Sequence, residues 1–160
     1  MMAKVTSLGH VGLFVNDLAT MRDFYTRVLG MTVTDESPER GMVFLSARPD
    51  EEHHELLLMP GRTGDGDVKI VQQMSFHVDN VEDVREFHNR FVEDGVQIDS
   101  VVTHGNTASV YFRDPEDNRL EIYYSLPVEW PQPFRAEIDV TQSDDDILKQ
   151  IHDVTVGAQR

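Results

Sequence analysis

Apolar and polar residues alternate over residues 8–15, and this period of two predicts a half-buried strand. Asn16 and Asp17 are suitable N-cap residues, and apolar positions at helical spacing then predict a helix over residues 18–29 that ends at Gly30. Three short apolar segments predict the strands that follow, over residues 31–34, 42–45 and 54–59. The first part of the chain therefore predicts one β-α-β-β-β module.

The same pattern returns 63 positions later, the offset that separates His10 from Gln73. It predicts a strand over residues 71–78, a helix over 81–92, and strands over 96–102, 109–112 and 120–124. Residues 60–67 hold three glycines with Pro and Asp, which is typical of a linker. We therefore predict an α+β fold of two βαβββ modules, at about residues 5–60 and 71–125 with a linker at 60–70. Together they form one catalytic domain over residues 1–126.

The pattern changes after residue 126. Three prolines surround Trp130, and they predict irregular chain that packs across the sheet. Ser143 and the three aspartates after it predict the start of a short helix through about residue 154. This Pro-rich tail, residues 127–160, belongs to neither module, and we expect it to serve as a lid or a subunit contact.

Composition excludes several classes of function. The net charge of −15 argues against a nucleic-acid partner, because phosphate contacts need clustered Lys and Arg. The absence of cysteine excludes disulfides, thiolate metal sites and cysteine nucleophiles. No basic amphipathic segment, apolar N-terminal segment or bilayer-length apolar run occurs, so we expect a cytoplasmic protein with no membrane partner.

His10 and Gln73 occupy equivalent places in the two modules, and equivalent positions of a duplication can converge on one central site. The inward set of the first strand would be His10, Gly12 and Phe14. With Glu121 from the second module, the set offers an imidazole, an amide oxygen and a carboxylate. Such a nitrogen and oxygen set suits Fe(II), Mn, Ni, Co or Zn, and it leaves open positions for a substrate with two adjacent oxygens.

Glu121 lies in an otherwise apolar, aromatic strand. Leu120 and Ile122 share one face of that strand, and Glu121 shares the other face with Tyr123. An edge-strand carboxylate in solvent and a metal ligand are both compatible with this pattern.

Glu55 lies at nearly the same place in the first module, directly after His53 and His54. Because strand side chains alternate, only one of His54 and Glu55 can point squarely at the cavity. His54 there would be an acid or base, and Glu55 there would be a fourth metal ligand. His104 precedes the seventh strand in a His-Gly-Asn loop.

Three motifs and the repeated module resemble the vicinal oxygen chelate superfamily, which includes glyoxalase I, bleomycin-resistance proteins, extradiol dioxygenases and methylmalonyl-CoA epimerase. The motifs are Leu8-Gly9-His10-Val11, then Phe24-Tyr25 with Leu29-Gly30-Met31, then Asp114-Pro115 with Glu121. The resemblance covers about residues 5–125. It implies a curved sheet around a central metal cavity.

Within the superfamily the chain is most similar to single-domain type I extradiol dioxygenases. The features are His53-His54 before the fourth strand, His104 with Asn106 before the seventh, and Glu121 followed by Tyr123. The resemblance implies His10, Gln73 and Glu121 as metal ligands. It implies catalytic roles for His54 as acid and base, for His104 as a hydrogen-bond partner of a substrate oxygen, and for Tyr123.

Four positions depart from the dioxygenase pattern. Gln73 stands where those enzymes have a second histidine ligand, and Arg113 stands where we expect their acid/base tyrosine. Asp117 replaces the usual glycine of the turn before the last strand, and Glu55 resembles a glyoxalase I ligand.

We therefore predict an Fe(II)-dependent extradiol dioxygenase, with Mn, Ni, Co or Zn as the alternative metals. Its substrates would be O2 and a catechol-type diol like 2,3-dihydroxybiphenyl, in aromatic compound catabolism, and the protein would be a homo-oligomer. One alternative is a glyoxalase-like lyase or epimerase that uses Ni, Co, Zn or Mn with Glu55 as an additional ligand. The other is a non-enzymatic ligand-binding or resistance protein.

Overall fold

The structure, a computed structural model, describes residues 8–63 and 71–158. The chain divides into two compact units, Met1–Val68 and Lys69–Arg160, and each unit has its own sheet. Most of the predicted linker at 60–70 lies outside the described residues. No helix within the described ranges is long and apolar enough to cross a membrane.

The first unit is one βαβββ module. Its elements are β1 (Val11–Val15), α1 (Leu18–Asp23) with a π-helical continuation (Phe24–Val28), β2 (Thr32–Ser37), β3 (Met42–Ser46) and β4 (Leu56–Pro60). The Asp17 side chain caps α1 by accepting a hydrogen bond from the Thr20 amide at 3.0 Å. The sheet order is β1-β4-β3-β2, with β1 and β4 parallel and the other pairs antiparallel.

The second unit repeats this arrangement and extends it. Its elements are β5 (Met74–His77), α2 (Val81–Glu93), β6 (Ile98–Thr103), β7 (Thr107–Arg113), β8 (Arg119–Ser125), β9 (Ala136–Glu137) and α3 (Asp144–Ala158). The sheet order is β5-β8-β7-β6-β9, and β5 and β8 are parallel. Phe91 of α2 packs on Phe112 of β7, with ring centroids 4.2 Å apart, so α2 covers one face of this sheet.

The strand pairing confirms the duplication and the α+β class. Each module ends with the strand that pairs in parallel with its first strand. Gly12 pairs with Leu57 in the first sheet, and Ser75, which lies 63 positions after Gly12, pairs with Glu121 in the second. Leu57 is therefore the counterpart of Glu121.

The tail is integrated into the second unit. Its strand β9 pairs with the edge strand β6, through Ala136 with Thr103 and Glu137 with Val102. Helix α3 has 15 residues and reaches Ala158, beyond the predicted end near 154. It is held against α2 by the Arg85–Asp144 ion pair. A role as lid or subunit contact stays a prediction.

The first strand has one buried face and one exposed face. Gly12 is exposed and Phe14 is 60% exposed, so the set predicted to face the central site lies opposite the core of this unit. The buried side chains of β1 are Leu13 and Val15. Helix α1 packs against the neighbouring strand β4 and completes the core on that side, so His10 lies on the side away from the core. His10, His54 and Gln73 also precede their strands instead of lying in them.

Candidate functional site

Glu121 is a buried carboxylate whose hydrogen-bond partners in the described structure are neutral. Its side chain is on β8 and the residue is 6% exposed. Oε2 accepts hydrogen bonds from Ser75 Oγ at 2.6 Å and from Gln73 Nε2 at 3.3 Å. Within the described residues no Lys, Arg or His forms an ion pair with it. Buried charges in proteins are normally paired or bound to a metal, so this carboxylate is suited to an added cation.

Tyr111 lies directly across from Glu121 in the β7–β8 hairpin, and its hydroxyl hydrogen bonds to that carboxylate. Burial, followed by the hydrogen bond and the charge of Glu121, raises the pKa of Tyr111 to about 12. The hydroxyl is therefore protonated at neutral pH and has a single proton to donate.

Sequence reasoning missed Tyr111, because it sought the strand's tyrosine at position 113. The register of the hairpin could have indicated Tyr111 from the sequence. The turn after Asp114 pairs Arg113 with Arg119, and counting outward along both strands pairs Tyr111 with Glu121.

His104 continues this hydrogen-bonded chain. Its Nε2 lies 3.1 Å from the Tyr111 hydroxyl, and its Nδ1 lies 2.7 Å from the Phe134 carbonyl oxygen. A carbonyl only accepts hydrogen bonds, so Nδ1 carries a proton and Nε2 faces the tyrosine. Both ring nitrogens are thus used within the protein. His104 acts on Tyr111 instead of contacting a substrate oxygen as we expected.

The tail holds the loop that carries His104. Gln132 Nε2 donates to the His104 carbonyl oxygen at 2.6 Å. A Cβ atom at Gly105, whose φ is +87°, would lie 2.2 Å from Cδ1 of Trp130. Only glycine permits this close approach.

In the first unit the structure brings His10 and His54 together. Their ring centroids are 4.4 Å apart, and the His54 ring also contacts the Phe44 ring at 5.0 Å. Nδ1 of His54 lies 2.9 Å from Nδ1 of His53. Burial, followed by the charges of His10 and His53, lowers the pKa of His54. The imidazole is therefore neutral at pH 7 and able to accept a proton.

Glu55 is directed elsewhere. Its Oε1 accepts from Arg48 Nε at 3.2 Å and Nη2 at 3.0 Å, and its Oε2 accepts from the Ala47 amide at 2.9 Å. His54 therefore contacts His10 and Glu55 binds Arg48, and which of the two faces a metal stays a prediction. The position equivalent to Glu121 is moreover Leu57.

Tyr123 lies on the same face of β8 as Glu121, as predicted. Its ring packs edge-on against His77, with centroids 5.2 Å apart. The tyrosine that hydrogen bonds to Glu121 is Tyr111, so Tyr123 lies beside this chain of contacts and not within it.

The donor set fits a divalent metal on the evidence of Glu121. No cluster of three or more His, Asp or Glu side chains able to hold a metal occurs in residues 8–63 and 71–158. Glutamine is a further possible donor: Gln73 directs Nε2 toward Glu121, and a half-turn of its amide would present the carbonyl oxygen instead. The second unit thus offers Glu121 and Gln73, and the first offers His10, as ligand types that such metals accept.

The Glyoxalase/Bleomycin resistance protein/Dioxygenase superfamily has a sequence model that matches residues 7–122. The chain belongs to this superfamily. The membership and the vicinal oxygen chelate fold predicted from the motifs are therefore confirmed.

Two relatives in this superfamily have dioxygenase names. Biphenyl-2,3-diol 1,2-dioxygenase 3 of Rhodococcus globerulus is 32% identical over 128 residues, which are 76% of this chain and 64% of the relative. The manganese-dependent 2,3-dihydroxybiphenyl 1,2-dioxygenase of Geobacillus genomosp. 3 is 26% identical over 129 residues, 79% of this chain and 39% of the relative. The chain thus spans less than two thirds of the length of these relatives.

A solved structure shows the same fold. The fosfomycin resistance protein FosX of Listeria monocytogenes superposes with a TM-score of 0.61 at 18% identity, covering 78% of this chain and 97% of FosX. At this identity the likeness concerns the fold and not the reaction.

Proposed function

We propose that this chain is a metal-dependent extradiol dioxygenase that opens the ring of a catechol-type diol such as 2,3-dihydroxybiphenyl. The observation that carries the proposal is the group His104, Tyr111 and Glu121, in which a protonated tyrosine lies against a buried carboxylate that forms no ion pair with the described residues. The dioxygenase names of the relatives support the same reaction class.

We assign Glu121, Gln73 and His10 as the metal-binding residues. Glu121 supplies the anionic charge, and Gln73 and His10 supply neutral donors. Fe(II) and Mn are the metals to test first, since one relative is named as manganese-dependent. When bound, the metal supplies the centre that chelates both substrate oxygens and the electron transfer that dioxygen requires.

His54 and Tyr111 each have one role in the proton transfers of the proposed reaction. His54, neutral at pH 7, accepts the proton of a diol hydroxyl. Tyr111 is protonated and is the acid that returns a proton to oxygen, while His104 holds its hydroxyl. The overall reaction needs no added reductant, because one ring carbon–carbon bond beside the diol breaks and both atoms of O2 enter the product.

The lyase alternative required Glu55 as a metal ligand. Both oxygens of Glu55 are bound by Arg48 and the Ala47 amide, so no contact in the first unit favours it.

Anaerobic loading with Fe(II) or Mn(II), followed by catechol or 2,3-dihydroxybiphenyl and air, tests the proposal. We expect a yellow ring-fission product and one O2 consumed per diol. His10→Ala should lose the metal while the fold is kept, since replacing an exposed residue changes stability by about 0.5 kcal/mol or less. Full metal occupancy with no product from either diol would overturn the proposal, and tight diol binding in that case would indicate the binding-protein alternative.

A further inference from the structure

Arg119 is a cation on the Glu121 face of β8, and it forms no ion pair with an acidic residue in the described part of the chain. The residue is partly buried, and its guanidinium lies over the Tyr111 ring, 4.4 Å from the centroid. Its Nε is buried and has no hydrogen-bond partner in the described part of the chain. A buried donor left unpaired is costly, so the protein leaves part of the hydrogen-bonding capacity of this guanidinium unused.

The arginine across the hairpin shows the contrast. Arg113 pairs with Arg119 in the register, and its Nε donates to Asp99 at 2.7 Å while Nη1 donates to the Asp117 carbonyl oxygen at 3.1 Å. The chain has 29 acidic residues, yet within the described ranges none forms an ion pair with Arg119. Arg113 therefore stabilises the hairpin, whereas the described residues give the Arg119 guanidinium an aromatic neighbour and no acidic partner.

Arg119 and Glu121 lie two positions apart on the same face of β8. Residues i and i+2 of a strand, such as Arg119 and Glu121, lie about 7 Å apart on one face. On one aromatic ring, a diol and a side chain opposite it are separated by a comparable distance. A guanidinium matches a carboxylate with two parallel hydrogen bonds. Arg119 can therefore bind an acidic substituent while the diol lies beside Glu121 and Tyr111.

We propose that Arg119 determines substrate specificity by binding a carboxylate of the substrate, so that the preferred substrates are catechols with an acidic side chain. This inference rests on the proposed function for the placement of the diol.

A pair of probes that differ only in charge tests it: 3,4-dihydroxyphenylacetate and its neutral amide. We expect the metal-loaded protein to favour the acid by at least tenfold in kcat/KM, mainly through KM. Arg119→Gln should bring the acid to the level of the amide, and Arg119→Lys should keep part of the preference because it keeps the charge. Arg113→Gln is the matched control, expected to lower stability and leave the acid-to-amide ratio unchanged.

Calorimetric binding of both probes to the metal-loaded protein without oxygen separates this inference from the proposed function. Tighter binding of the acid that depends on Arg119, with no ring cleavage in air, would support the inference and overturn the proposed function. Cleavage with equal kcat/KM for acid and amide would overturn the inference and leave the function standing. If Arg119→Gln lowered kcat/KM equally for the acid and the amide, the inference would also be overturned, since Arg119 would then act only through Tyr111.

Discussion

The two sheets share one strand order and differ at three paired positions. In the first sheet Leu57 pairs with Gly12 on one side and Phe44 on the other. In the second sheet Glu121 pairs with Ser75 and Tyr111 in the same way. At these three positions each apolar or small residue of the first sheet thus has a polar counterpart in the second.

The difference shows that duplication of a backbone does not duplicate its chemistry. The added polar atoms of the second sheet form one connected set, because Ser75 and Tyr111 both hydrogen bond to Glu121. The first sheet keeps a ring contact, Phe44 with His54, where the second has Tyr111 with His104. The second sheet therefore holds a buried carboxylate with hydrogen-bonding neighbours where the first sheet holds apolar or small residues.

Removing the carboxylate should have the largest effect. Glu121→Gln should abolish metal retention and lower turnover by more than the roughly 10–100-fold typical of losing an outer-shell partner. Glu55→Gln, in the first unit, should keep the metal. Elemental analysis and oxygen uptake measure both variants. A Glu121→Gln protein that retains metal would contradict the assignment of anionic chemistry to the second sheet.

Making the second sheet resemble the first at the hairpin should have the next largest effect. Tyr111→Phe introduces the residue type of Phe44, and we expect kcat to fall by about 10²–10⁴-fold, the range for loss of a general acid. Tyr123→Phe is the control, with only a few-fold change expected because its ring packs on His77. If the two variants have equal kcat, Tyr111 has no special role.

The raised pKa of Tyr111 predicts a loss of stability in alkali. The pKa is 10.0 in the unfolded chain and about 12 in the folded one, so the folded state holds this proton more tightly. The contribution is complete below pH 10 and is lost between pH 10 and 12. It amounts to at most about 2–3 kcal/mol at about 1.4 kcal/mol per pH unit. Urea unfolding across that range should show a smaller decline in Tyr111→Phe, and identical declines would rule out this contribution.

The tail contact is specific to the second unit and should have a moderate effect. Gly105→Ala would drive Cβ into Trp130 and should cost about 1–3 kcal/mol beyond backbone strain. Gly95→Ala is the matched control, because Gly95 also has a positive φ, +66°, but no atom within 4 Å of the added Cβ. Thermal unfolding compares the two variants. An equal decrease in Tm for both variants would mean that the Trp130 side chain moves to accommodate the added Cβ without cost.

The smallest effect should come from giving the second unit the ligand type of the first. Gln73→His places an imidazole at the position equivalent to His10, and we expect metal affinity to rise by about tenfold, or about 1.4 kcal/mol. Competition with a chelator measures the change. Weaker binding would show that the amide of Gln73 is needed where it is, between Ser75 and Glu121.

The sequence by itself determined the modules and most of their elements. Period-two and helical patterns predicted β1–β8 and the three helices, because the burial of one face imposes those periods on any chain. The repeat between His10 and Gln73 predicted the duplication that the strand pairing shows. The short β9 was missed, since a two-residue strand has no period to detect.

Tertiary structure decided how the candidate residues are used. Periodicity gave Glu121 and Tyr123 a common face, but only strand register could bring Tyr111 to Glu121, because pairing across a hairpin depends on the turn. The engagement of Glu55 by Arg48 and of His104 by the Phe134 carbonyl joins residues far apart in sequence or in loops, where no local pattern applies. The unpaired Nε of Arg119 and the packing of its guanidinium on Tyr111 likewise depend on three-dimensional packing, which no local pattern encodes.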